Sequence, residues 1–131
     1  MIRLALESDF DVIKKIANQN RDFVGFVMKV ALKEALLKRS LYVYEVNSAV
    51  IGFVHYHPRK DGWHTIHEIA VAKEYQGKGV GKKLFDIVPL PIRLKTTVDN
   101  KNAIEFYGKK EMVLVNIEDG KKRKLCVFEK K

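Results

Sequence analysis

The sequence predicts a mixed α/β (α+β) domain built on one central sheet, mixed but mostly antiparallel, with about seven strands and about four flanking helices. Three observations carry that prediction. Apolar residues recur at helical spacing in the first third of the chain. Between residues 41 and 71 the period changes to that of strands rich in aromatic and β-branched side chains, cut by turn signals. A glycine-rich loop, Gln76-Gly77-Lys78-Gly79-Val80-Gly81, then joins the last of these strands to a new helix.

Each element has a local reason. Residues 2–6 alternate weakly and read as an opening strand. Glu7, Ser8 and Asp9 offer capping side chains before Phe10, Val12, Ile13 and Ile16, which share a helical face ended by Asn18-Gln19-Asn20. A second helix is expected over 22–38, burying Phe23, Phe26, Val27, Val30, Ala31, Leu36 and Leu37. Strands follow at 41–46, 50–57 and 63–71 as an antiparallel meander, with tight turns at Asn47-Ser48 and after Pro58. Strict alternation would put Trp63, Thr65, His67, Ile69 and Val71 on one face, and His64, Ile66, Glu68 and Ala70 on the other. It would likewise place His55 and His57 with Ile51 and Phe53.

Beyond the loop, a helix over 79–88 is stopped by Pro89 and Pro91. A strand at 92–98 precedes Asp99-Asn100, which cap a helix carrying Ala103, Ile104, Phe106 and Tyr107. Strands at 112–117 and 125–128 close the chain as a hairpin around Asp119-Gly120. No internal repeat or linker divides residues 1–131, which read as a single domain.

Composition narrows the function classes. At 47% hydrophobic and 31% charged, the 131 residues are globular rather than disordered. No apolar run is long enough to cross a bilayer and the N-terminus lacks a signal-peptide layout, so no membrane role is expected. One cysteine, Cys126, excludes an internal disulfide and suits a reducing, cytoplasmic setting. A net charge of +9 points to anionic partners. The dense run Lys121-Lys122-Arg123-Lys124 has no interleaved aromatics, which argues against a nucleic-acid partner.

Glycines at 77, 79 and 81 permit positive φ and close approach of the backbone to a ligand. Their N–H groups, with the start of the next helix, would form an anion site, and Lys78, Lys82 and Lys83 add positive charge. A phosphate-binding P-loop would need Ser or Thr after its lysine, where Lys83 follows Lys82. A dinucleotide fingerprint would need a different glycine spacing after the first strand of a parallel unit.

What the segment does resemble is the main cofactor motif of the GNAT superfamily of acetyl-CoA-dependent N-acetyltransferases. Ile69-Ala70-Val71 is similar to that family's strand end, and Gln76 through Gly81 to its Gln/Arg-x-x-Gly-x-Gly/Ala loop. Asn100-Lys101-Asn102-Ala103-Ile104-Glu105-Phe106-Tyr107 resembles the family's second motif, and the element order matches along essentially the whole chain. The resemblance implies acetyl-CoA as cosubstrate, no metal, and direct ternary-complex transfer to a primary amine on a protein N-terminus, a lysine or a small molecule. It implies that Ile69, Ala70 and Val71 pair with the pantetheine arm, that Gln76, Gly77, Lys78, Gly79, Val80, Gly81 and Lys82 hold the pyrophosphate, and that Asn100 touches the cofactor arm. Tyr107 matches the tyrosine near the sulfur and would be the general acid. Glu68 matches a glutamate that accepts a proton through water.

The sequence also departs from the pattern. Relatives resembling ribosomal-protein alanine acetyltransferases carry a glutamate where Lys95 stands, and Glu111-Met112 replaces a common Gly-Phe. A chain whose base is lost would be a non-catalytic acyl-CoA-binding module, the alternative reading. His55, His57, His64 and His67 lie on adjacent strands, yet neither a carboxylate nor a cysteine stands at typical ligand spacing, so half-buried sheet histidines are expected rather than a metal site. Monomer and homodimer both stay open.

Overall fold

The computed structural model describes residues 1–24 and 27–131. Its strands are β1 (Ile2–Leu4), β2 (Leu41–Val46), β3 (Ala49–Pro58), β4 (His64–Val71), β5 (Ile92–Thr97), β6 (Val113–Asp119) and β7 (Lys124–Lys130). Its helices are α1 (Phe10–Gln19), α2 (Arg21–Val24), α3 (Lys29–Leu37), α4 (Val80–Asp86) and α5 (Lys101–Lys109). All seven strands form one sheet in the order β1-β2-β3-β4-β5-β7-β6. Every neighbouring pair is antiparallel except β4 and β5. The expected fold class is therefore observed.

Two apolar clusters cover the two faces of the sheet. On one face, Phe10, Ile13 and Ile16 of α1 and Leu32 and Ala35 of α3 pack on Val43, Phe53 and Ala70. On the other, Leu84 and Phe85 of α4 and Ala103 and Tyr107 of α5 pack on Val54, Ile69, Val71, Leu94 and Phe128. A salt-bridged corner fixes the N-terminus: Arg3 reaches Asp9 at 2.8 Å and Glu45 at 3.1 Å, and Asp9 also accepts the Leu6 N–H.

The helix expected over 22–38 is instead two helices, α2 and α3. Met28, with φ −85° and ψ 145°, is extended where helix was expected, and Phe26 lies outside the described residues. The register of the buried face shifts with the break. Leu32 and Ala35 go into the core, while Val30 and Leu37 are exposed. Only a continuous helix would have kept the expected face in phase.

Strict alternation also fails in the meander, at two bulges. One lies between Tyr44 and Glu45 opposite Ile51, so Ile51 joins Val54 on one face while Phe53 faces the other. The second skips His67, so Ile66 shares a face with Ile69 and Val71. An extra residue in one strand reverses the parity of all that follow it. Glu68 stands at the edge of this bulge, directly opposite His55.

Candidate functional site

The parallel pair β4–β5 is joined at a single register position, His64 with Ile92, reinforced by the His64 N–H on the Pro91 carbonyl at 2.8 Å. Beyond it the strands diverge and leave the inner edge of β4 without a strand partner. Ala72 donates to the Ile51 carbonyl, which makes Val71 and Gly52 a non-hydrogen-bonded antiparallel pair. By alternation the backbone groups of Ile69 and Val71 point away from β3, into the gap. The Val71 carbonyl is met there by side chains: Asn20 Nδ2 donates to it at 3.1 Å and Gln76 Nε2 at 3.0 Å. The two amides also bond each other, Gln76 Nε2 to Asn20 Oδ1 at 2.9 Å.

The gap opens into a cleft of about 540 Å³ lined by Ile69, Ala70, Val71, Gln76, Gly77, Gly79, Gly81 and Lys82. The loop has the backbone that its glycines allow. Gly77 and Gly79 lie at φ 77° and 84°, with nothing within 4 Å of where a Cβ would stand. Gly81 does a different job, since a Cβ there would meet the Phe106 ring at 3.2 Å and push α4 off α5. Among the described residues, no hydrogen bond of ordinary geometry takes the N–H groups of residues 77–82. Helix α4 has only seven residues, shorter than the 79–88 expected, so what the loop offers an anion is free amides rather than a long helix dipole.

Not every expected residue lines the cleft. Val80 is buried against the core beneath the loop. Lys78 lies over the Tyr75 ring at 5.6 Å, and Lys82, which does line the cleft, pairs with Asp86 at 2.8 Å. Asn100 caps α5 by accepting the Ala103 N–H and donates to the Phe23 carbonyl at 3.0 Å, tying α2 to α5 across the gap. The cleft wall also includes residues that sequence reasoning passed over: Asn20, Phe23, Tyr75, Asn102, Phe106, Lys109 and Lys110. Asn102, Phe106 and Lys109 recur at helical spacing along α5, with Lys110 just past its end, a signal present in the sequence. Asn20 and Phe23 gave none, because their role depends on where α1 and α2 end.

A second cavity of about 180 Å³ adjoins the first at Phe23 and Ile69, and holds both Tyr107 and Glu68 together with Leu94, Lys95 and Thr96. Tyr107 is 6% exposed, in a cage of Phe23, Phe85, Phe106 and Phe128 rings. Burial first, and then the charge of Glu68, push its phenol well above the ordinary tyrosine range, so it is protonated at any physiological pH. Glu68 lies 3.3 Å from His55 Nδ1. Lys95 is ion-paired with Glu118 on β6. Next to Glu68, His67 Nε2 is 2.7 Å from His57 Nδ1. Burial and the neighbouring imidazoles and lysine push His67 down to about 4, and burial also lowers His57.

Comparison with known proteins gives the same picture. The family model described as an acetyltransferase (GNAT) domain matches residues 38–110. The Ard1 crystal structure from Thermoplasma volcanium is 22% identical, with 99% of this chain and 95% of that one covered at a TM-score of 0.84. Arabidopsis thaliana Naa50, in complex with the bisubstrate analogue CoA-Ac-MVNAL, is 16% identical over 100% and 97% of the two chains, with a TM-score of 0.73. A ribosomal-protein-alanine N-acetyltransferase from Brucella melitensis is 16% identical over 99% and 98%, with a TM-score of 0.71. At these identities the solved structures show the fold alone. No curated protein matches the sequence significantly.

Proposed function

The chain belongs to the GNAT acetyltransferases, and on that premise we propose that it moves an acetyl group from acetyl-CoA to a primary amine by direct transfer in a ternary complex. The observation that carries this reading is the junction of two cavities: an anion-binding cleft running along the open edge of β4, and beside it a smaller one with a protonated phenol and a carboxylate.

Residues 77–82 would hold the pyrophosphate by their free amides. The outward backbone groups of Ile69 and Val71 would pair with the pantetheine amides as an added strand does. The Val71 N–H, facing the gap, suits the developing oxyanion. Val80, buried below the loop, contributes by its backbone, and Asn100 contributes by fixing α5 against α2.

Proton balance assigns the other two roles. An ammonium acceptor must lose one proton before attack and a second afterwards; one ends on sulfur and the other reaches solvent. Glu68, which lines the smaller cavity and is half-buried, would accept a proton directly or through water. Tyr107 is the donor toward sulfur. A phenol held above its ordinary value is a weaker acid than a thiol of pKa about 8.5, so it hydrogen-bonds the departing thiolate and ends the step still protonated, while the proton that ends on sulfur comes from the nitrogen of the adduct, passed through this hydroxyl or through water. Cys126 is buried on β7, away from both cavities, which favours direct transfer over an acyl-cysteine intermediate.

The acceptor class is an amine on a protein N-terminus, a lysine or a small molecule. Naa50's peptide-bearing analogue makes a peptide N-terminus the first to try. No described helix is long and apolar enough to cross a membrane, and the setting we propose is cytoplasmic. The test is thiol release from acetyl-CoA with peptides, lysine and polyamines, alongside calorimetry with acetyl-CoA alone. Tight binding with no turnover on any amine would convert the reading to an acyl-CoA-binding module; no binding would overturn it.

A further inference from the structure

The histidines of the meander do more than fill the sheet surface. His55 and His57 are two apart on β3, on the same side, and the bulge in β4 turns His67 toward them rather than away. The three rings lie against one another, with centroids 4.6 Å apart for His55–His67 and 4.4 Å for His57–His67. One ring nitrogen from each falls within 4.8 Å of the other two. A tetrahedral ion with bonds of 2.0–2.1 Å needs its ligand atoms about 3.3 Å apart, so small side-chain rotations separate one pair and draw in the third.

We propose that His55, His57 and His67 form a binding site for a divalent first-row transition ion, with zinc the natural occupant. Two features of the surroundings support it. Glu68 sits 3.3 Å from His55 Nδ1, leaving the other nitrogen of that ring for an ion, which is the carboxylate–histidine arrangement that orients metal ligands. His67 packs its ring against His55 and His57 but keeps part of its surface exposed, so the site has an entry path for an ion from solvent. Lys38 and Arg59 are the cations nearby and work against the ion, while Glu68 supplies compensating negative charge. The sequence argued against a metal here because neither a carboxylate nor a cysteine stands at typical ligand spacing, and it gave no sign that β4 breaks its alternation at His67.

The test uses the full chain freed of metal with a chelator, then titrated with Zn²⁺ by calorimetry and with Co²⁺ by visible absorption. One ion per chain is expected, with a Co²⁺ spectrum of low coordination number. His57→Gln and His67→Gln, changed together, are expected to weaken Zn²⁺ binding by roughly 10–100-fold or more. His64→Gln, outside the cluster, should bind as the parent does, and acetyl-CoA affinity of all three proteins reports that they are folded. Zn²⁺ binding that is equal in the parent and the folded double variant, or absent from the parent, would overturn the proposal.

Discussion

Replacing Gly79 tests the anion site through a paired comparison. Its φ of 84° and ψ of 5° are left-handed, and nothing lies within 4 Å of an added Cβ. Gly79→Ala therefore introduces backbone strain without a clash, about 1–2 kcal/mol, or roughly 4 °C in Tm for each kcal/mol in a domain of this size. Gly79→Asp carries a similar strain and adds a negative charge facing the cleft. Against one phosphate charge at about 5 Å, with an effective dielectric constant of about 20, the repulsion is about 3 kcal/mol, or more than 100-fold in Kd. With screening, the Asp variant should bind acetyl-CoA at least ~30-fold more weakly than the Ala variant at low salt, and the gap should shrink as salt rises. Calorimetry on both variants decides it. Equal affinities for the two, at matched stability, would refute the assignment of the pyrophosphate to this loop.

Tyr107→Phe should lower kcat by about 10-fold or more while leaving acetyl-CoA affinity within about 2-fold, since the ring cage keeps its shape; steady-state kinetics with calorimetry checks both. Glu68→Gln should reduce kcat by about 10-fold or more without changing Kd for the cofactor, and equal kcat in the two proteins would remove Glu68 from the mechanism. Asn20→Ala removes a donor to the Val71 carbonyl and the partner of Gln76, so it should weaken acetyl-CoA binding by a few-fold with the Tm falling only slightly. For acid stability, burial pulls the Asp9 carboxyl upward, but the Arg3 and Leu6 hydrogen bonds outweigh it and hold the group below its ordinary value. Its stabilisation, roughly 1.5–3 kcal/mol for charge-assisted bonds, is thus present above pH ~4 and lost as pH falls through the depressed value. Asp9→Asn should lower urea midpoints at pH 7 and narrow the gap to the parent as pH falls below ~4; unchanged midpoints at pH 7 would show that the Arg3 corner is not stabilising.

Much of this protein was legible along the chain. The period change near residue 41, the turn at Asn47-Ser48 and the glycines at 77 and 79 are local, and the structure has each as expected, with Asn47 and Ser48 at φ 51° and 67°. Their conformations follow from sterics within a few residues, which is why sequence suffices. Helix α3's face was not legible, because a break near residue 28 shifts the phase of the whole segment.

The sequence by itself therefore determined the fold class and the backbone of the glycine loop, and it singled out Tyr107 and Glu68 as candidates. Tertiary structure alone decided how they meet. The splay of β5 from β4 after one paired position opens the cleft, and the Asn20 and Gln76 amides that satisfy Val71 come from places more than fifty residues apart in the chain. The bulge at His67 brings that ring onto His55 and His57 and leaves Glu68 beside both Tyr107 and an imidazole. A bulge is a compromise between the pairing of two strands and the packing on both faces of a sheet, and neither is written in the strand that carries it.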